Sequence, residues 1–249
     1  MLRSLRLALV LVVVAQPSFA DDPFSLLALT SRTDAAGDTS YSLSLQILFL
    51  MSLITILPSI VLGMTAFTRI IIVLSILRQA LGTQQTPPNQ VLIAVALFLT
   101  ATVMTPTLTK MNEEALTPYL EEEMSAEAAI AVGGAIIKDF MVRNTREDAL
   151  VAFADLNGAG PFLTSEDIPF SVILPAFIIS ELKTAFQIGF LIFLPFLVID
   201  MVISSILMSL GMMMLSPMLI SLPFKLLLFV LVDGWSMTAA SLVATFSVP

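Results

Sequence analysis

Hydrophobic positions in this chain fall in long uncharged tracts, not in the alternating or one-sided patterns of strands and helices that face water. Residues 43–68 carry no charge over 26 positions and are interrupted only by Pro58 and Gly63. That length crosses a hydrocarbon layer of about 30 Å with some tilt. Pro58 predicts a kink and not an end, because neighbouring helices can satisfy the carbonyl it frees. The apolar pattern continues past Arg69 through IIIVLSIL to Arg78. QALGTQQTPPNQ at 79–90 then ends it, since Gly82 weakens a helix and the Pro87-Pro88 pair breaks one. A second uncharged run of 19 residues fills 91–109, so 43–109 is expected to form a first helical membrane hairpin.

The character changes at 110–167, where 12 acidic residues stand against 4 basic ones. Its alanine-rich stretch has helix-like apolar spacing interrupted at Gly133-Gly134, which predicts two or three short helices. From 168 to 249 the chain is again almost wholly apolar, but the uncharged runs are unequal: 16 residues at 184–199, 24 at 201–224 and 7 at 226–232. A lone spanning helix needs about 20 clean residues, so this second helical membrane hairpin is built to pack inside an assembly. The fold class expected is all-α: helical membrane hairpins that pack inside an assembly. No fixed-period repeat recurs.

Residues 1–20 read as a secretory signal, with Arg3 and Arg6, the apolar LALVLVVVA, and a small-residue cleavage site between Ala20 and Asp21. The other reading is an uncleaved short first span. Residues 21–42 are polar and read as a flexible periplasmic lead. Arg69 and Arg78 both lie on the approach to the turn between the first two tracts and orient that turn toward the cytoplasm, which leaves the long acidic 110–167 segment outside. The chain is then expected to be an integral, multi-pass membrane protein in contact with lipid.

Composition sharpens this picture. Of 249 residues 57% are hydrophobic and only 12% charged, where soluble domains carry about 25% charge. The net charge of −8 comes entirely from 110–167. With no Lys/Arg cluster, nucleic acid is not an expected partner. Absence of both cysteine and histidine removes disulfides, thiolate or imidazole metal sites and Ser-His or Cys-His nucleophiles. No nucleotide-binding glycine loop is present either, so neither enzyme activity nor a cofactor is expected. Asp155, Asn157, Gly160 and Glu166 mimic part of a calcium loop, but Ala159 and Leu163 occupy two ligand positions; a turn capped by Ser165 or Asp167 is the plainer reading.

Candidate chemistry concentrates at 181–217. Ionisable groups at lipid depth are costly and normally face a protein interior or a watery cavity. Glu181 and Lys183 are two apart and cannot pair on one helix. Lys225 is expected to pair with Asp200 or Glu181, across helices or subunits, so Glu181, Lys183, Asp200 and Lys225 form a candidate set of buried, paired charges. A proton relay through Glu181 and Asp200 is the rival. Arg69 either snorkels to headgroups or is paired. Met212, Met213 and Met214 follow Gly211 and precede Ser216-Pro217; unbranched thioethers there make either a deformable plug or simple filler in a helix-helix turn.

MTAFTRIIIVLSILRQALGTQQTPPNQVLIAVALFLTATVM at 64–104, PFLTSEDIPFSVILPAFIISELKTAFQIGFLIFLPFLVIDM at 161–201 and the methionine-rich segment that follows closely resemble the FliP family of flagellar type III export-gate subunits. The resemblance covers essentially residue 43 to the C-terminus. It implies a helical, pore-forming homo-oligomer of five copies in the bacterial inner membrane that joins FliQ and FliR and other export-apparatus membrane proteins. Together they form an inner-membrane channel of the flagellar basal body through which unfolded flagellar proteins pass. It also implies a pore gasket at Met212, Met213 and Met214, and inter-subunit pairing among Glu181, Asp200 and Lys225. An ion-coupled secondary transporter and a structural scaffold of the flagellar base are the alternatives.

Overall fold

The computed structural model describes residues 32–33, 39–40, 43–83, 85–158, 162, 164, 167–212 and 214–246, with side chains from 47 onward. It divides into two compact units, Met1–Leu57 and Pro58–Pro249. In the first, β1 (Arg32–Thr33) and β2 (Thr39–Ser40) pair antiparallel, with Arg32 opposite Ser40. All other regular structure among the described residues is helical, so the fold is all-α.

Helix α1 (Leu43–Gly63) runs straight through Pro58. Pro58 does not end the helix, as expected; the break comes at 64–66, after which α2 (Phe67–Leu81) begins. The sequence Leu62-Gly63-Met64-Thr65 lets the Thr65 hydroxyl donate to the Leu62 carbonyl at 2.8 Å and accept from the Phe67 amide at 3.3 Å, which stitches the bend. Gly82, in the left-handed region at φ 79, closes α2. Then α3 (Asn89–Met111) leads through a π-helical turn (Asn112–Leu116) into α4 (Thr117–Leu120). The helical stretch is continuous from Asn89 to Leu120, so the boundary expected at 109 falls inside it.

The acidic segment holds α5 (Ala126–Asn144) and α6 (Glu147–Leu156). Gly133 and Gly134 do not break α5, contrary to the sequence expectation. Each glycine costs only about 1 kcal/mol in a helix, and here packing replaces what they lose: Met111 lies 3.8 Å from the Cβ position at Gly133 and the Phe170 ring 3.8 Å from that at Gly134.

Among the described residues, 168–249 hold one long helix and two short ones. Helix α7 (Phe170–Ser209) spans 40 residues through Pro175, Pro195 and all three charged positions. The carbonyl of Ser171, four residues before Pro175 and so deprived of its helical donor, accepts from the Asn157 amide at 3.4 Å. At 1.5 Å per residue α7 is about 60 Å long, roughly twice the hydrocarbon thickness. Helices α8 (Pro217–Leu231) and α9 (Gly234–Ala244) follow, bent by 64° at their junction. Among the described residues two helices, Asn89–Leu120 and Phe170–Ser209, are long and apolar enough to cross a membrane, and up to four spans result if each bent pair counts as one.

In the larger unit α2 is the centre of the packing. Its Ile70, Val73, Leu74 and Leu77 recur every three to four residues and are all buried. Ile70, Val73 and Leu74 cluster with Val172, Ile173 and Phe177 of α7 and Phe140 and Met141 of α5, with Phe140 and Phe177 edge to face at 6.1 Å, while Leu77 joins a second cluster with Phe196 and Phe229. Without a strong hydrophobic drive between helices in lipid, close approach decides such contacts. Gly189 of α7 supplies it, since a Cβ there would collide with the side chain of Ile76.

Candidate functional site

Arg69 interrupts the apolar face of α2 and Glu181 that of α7, and the packing of these two helices brings them together. Both are buried, at 3% and 0% exposure, so Arg69 is inside the protein and not at a headgroup. The guanidinium grips the carboxylate with two parallel bonds: Nη2 to Oε1, and Nε to Oε2 at 2.9 Å. A fork of this kind is the strongest side-chain pairing available to a carboxylate. Nη1 donates to the carbonyl and the hydroxyl of Thr245, each at 3.0 Å, and the Phe246 ring stacks with its centroid 3.8 Å from the guanidinium carbon. The chain beyond α9 is thereby tied to the middle of the fold, and the desolvated charges are fully compensated.

A second ionic cluster sits nearer the end of α7. Lys225 of α8, 2% exposed, donates to Asp200 Oδ2 at 2.7 Å and to the Ala80 carbonyl at 3.2 Å. Asp200 Oδ1 accepts from the Ser221 hydroxyl at 2.5 Å. Ala80 lies in the last turn of α2, where carbonyls lack helical donors and a cation is favoured. One ammonium therefore fastens α8 to both α2 and α7. Both clusters close within a single chain, without a second copy.

Lys183 does not belong to this buried set. It points away from Glu181, is about half exposed, and pairs at 2.5 Å with Asp148 of α6. That hydrogen bond, with the charges of Lys183 and Arg146 beside it, holds the Asp148 carboxyl below its ordinary range against a smaller opposing effect of burial. The backbone amide of Arg146, an unsatisfied donor at the start of α6, bonds the buried Ser180 hydroxyl at 2.9 Å. Arg78 reaches across the turn after α2, donating to the Pro87 carbonyl at 3.2 Å and to Asn89 Oδ1 at 2.7 Å. Ala20, Asp21, Gly160 and Glu166 lie outside the described residues; Asp167 closes a turn by accepting from the Thr164 hydroxyl at 2.8 Å.

The methionine loop begins where α7 stops. Gly211 takes the left-handed conformation at φ 73; its amide bonds the Met208 carbonyl at 3.1 Å, and that of Met212 the Leu207 carbonyl at 3.0 Å. This paired pattern is the glycine-dependent helix stop. It turns the loop outward: Met214 is fully exposed and Met212 44% exposed, while Met213 lies outside the described residues. Pro217 at the first position of α8 then fixes the restart.

Sequence reasoning missed Asp148, Ser180, Ser221, Thr245 and Phe246 as partners, and it offered Glu181 to Lys225, not to Arg69. One signal was available. Arg69 and Glu181 are opposite charges inside otherwise apolar tracts, and each needs a counter-charge at the same depth.

Known proteins resemble this chain over most of its length. The FliP family model matches residues 50–242. The chain is 69% identical over 216 residues to the flagellar biosynthetic protein FliP of Cereibacter sphaeroides, covering 87% of this chain and 72% of that one. Identity to the protein of the same name from Bacillus subtilis is 51% over 205 residues, covering 82% and 93% of the two chains. With that of Caulobacter vibrioides it is 46% over 245 residues, covering 97% and 92%. An all-α membrane fold and likeness along nearly its whole length lead to one assignment: the chain belongs to the FliP family.

Proposed function

We propose that this chain is a core, non-enzymatic subunit of the flagellar type III protein-export gate, set in the bacterial inner membrane at the flagellar basal body. Five copies assemble with FliQ and FliR around a passage for unfolded flagellar proteins, and Met212, Met213 and Met214 of each copy form the gasket that seals it at rest. The observation that carries this reading is a loop in which Met214 is fully and Met212 partly exposed, set between two packed helices. Flexible thioethers close a hole of changing size better than branched side chains do, and the Lys225–Asp200 contact holds both ends of the loop at fixed positions.

The most apolar window of α7 is only 11% buried within the chain, and α8 exposes Leu219, Leu227, Val230 and Leu231. Contiguous apolar surface of this extent supports burial against neighbouring subunits and lipid. Ion-coupled transport has less support, because Arg69 occupies the Glu181 carboxylate and Lys225 with Ser221 occupies that of Asp200.

Replacing Met212, Met213 and Met214 together by alanine in the assembled complex should produce an ion leak across the membrane. Conductance equal to wild type would refute the gasket. The mass of the detergent-solubilised particle tests the assembly: a multi-subunit particle with small hydrophobic partners is expected, and a lone monomer would overturn the reading.

A further inference from the structure

The last third of α7 carries two unlike surfaces. Leu197, Asp200, Met201, Ser204, Ser205, Met208 and Ser209 line one shallow depression along the helix. At about 100° per residue these positions share one side, and Ile199, Val202, Ile203 and Ile206 share the other. Exposure does not separate them, since Met201 and Met208 are exposed by 64% and 63% and Val202 and Ile206 by 52% and 49%. Their chemistry does.

A hydroxyl turned toward hydrocarbon normally folds back on its own helix, as Ser52, Thr55, Thr102 and Thr105 do by donating to the carbonyl four residues earlier. On the polar side of α7 only Ser209 does something similar, donating to the Ile206 carbonyl at 2.8 Å. Ser204 and Ser205 have no hydrogen-bond partner among the described residues. Asp200 adds a carboxylate whose side chain is still 34% exposed after binding Lys225. Open hydroxyls and a part-exposed carboxylate are poorly tolerated by lipid and well tolerated by water. The polar side also runs, over about 18 Å at 1.5 Å per residue, directly into the methionine loop.

We infer that the Asp200, Ser204, Ser205 and Ser209 side of α7 is bathed in water within the assembled complex and forms the hydrophilic wall of the passage leading to the methionine constriction. The Val202 and Ile206 side faces apolar neighbours. The passage itself rests on the export-gate reading; the wetness of this side does not.

The chain contains no cysteine, so a single introduced thiol is read without background. Ser204→Cys, Ser205→Cys, Val202→Cys and Ile206→Cys are placed one at a time in the full chain in its native membrane and exposed to a membrane-impermeant, charged maleimide. A thiol in an apolar setting forms little thiolate, so the serine-side positions should label at least about tenfold faster than the aliphatic ones. Equal rates, reversed rates or no labelling on the serine side would overturn the inference. If Ser205→Cys alone blocks assembly, Ser204→Cys gives the same comparison. The charged adduct should also lower export of flagellar proteins. Fast labelling with export unchanged would overturn the export-passage reading and leave the wet surface standing, whereas slow serine-side labelling with normal export overturns the wet surface alone.

Discussion

Removing one partner of the Arg69–Glu181 pair is the sharpest test of how this fold is held. Glu181→Leu would leave a guanidinium at 3% exposure with only the Thr245 oxygens and the Phe246 ring to stabilise it. An uncompensated buried charge costs about 3–5 kcal/mol. For a domain of this size about 2–4 °C is lost per kcal/mol, which converts to roughly 6–20 °C in Tm. Arg69→Met should cost a similar amount, because the carboxylate is then stranded at 0% exposure. The double variant Arg69→Met/Glu181→Leu removes both charges and both desolvation costs, and apolar replacements of similar volume are often neutral. It should therefore recover most of the loss. Thermal unfolding of the four proteins in one detergent, followed by circular dichroism, measures the cycle. A single variant that melts with the parent, or a double variant whose loss equals the sum of the singles, would refute the reasoning.

Other outcomes follow from the same contacts. Lys225→Met should destabilise by about 1–3 kcal/mol, less than the Arg69 variants because the stranded Asp200 is 34% exposed and regains water; native gels should show a loss of oligomer, and intact oligomer at parental levels contradicts the role. Gly189→Ala should weaken the α2–α7 contact by about 1–3 kcal/mol through overpacking against Ile76, and Ile76→Val should restore part of it in the same melting assay. Asp148 has a folded pKa held below its ordinary 3.8, chiefly by the Lys183 hydrogen bond. Its contribution is then complete above 3.8 and lost only as pH falls through the lower folded value. Hydrogen exchange along α6 should stay slow from neutral pH to about 4 and rise below, and Asp148→Asn should abolish that rise.

Much of the element plan was legible along the chain. The Pro87-Pro88 turn and the loop at Gly211 both appear where the pattern predicts them, because proline and left-handed glycine constrain the backbone whatever surrounds them. Gly133-Gly134 misled, for it lies within α5. Pro58 lies within α1, as expected of a proline that does not end its helix, and Pro175 and Pro195 lie within α7. A lost backbone bond or an added glycine costs about 1–3 kcal/mol, and contacts such as Phe170 on Gly134 and Asn157 on the Ser171 carbonyl offset that locally.

The charges divide along the same line. By itself the sequence determined that Glu181, Asp200 and Lys225 needed partners and left Arg69 either paired or at a headgroup, since solvation in an apolar tract is a property of the local environment. Which partner each one found was settled only in three dimensions. Arg69 and Glu181 are 112 positions apart, Arg69 and Thr245 176, and no spacing rule reaches that far. The close approach of α2 and α7 at Gly189 gave Glu181 to Arg69, and the end of α2 at Ala80 gave Lys225 its second acceptor. Lys183, only two positions from Glu181, went to the surface because 100° of helix rotation per residue carries neighbours to different sides.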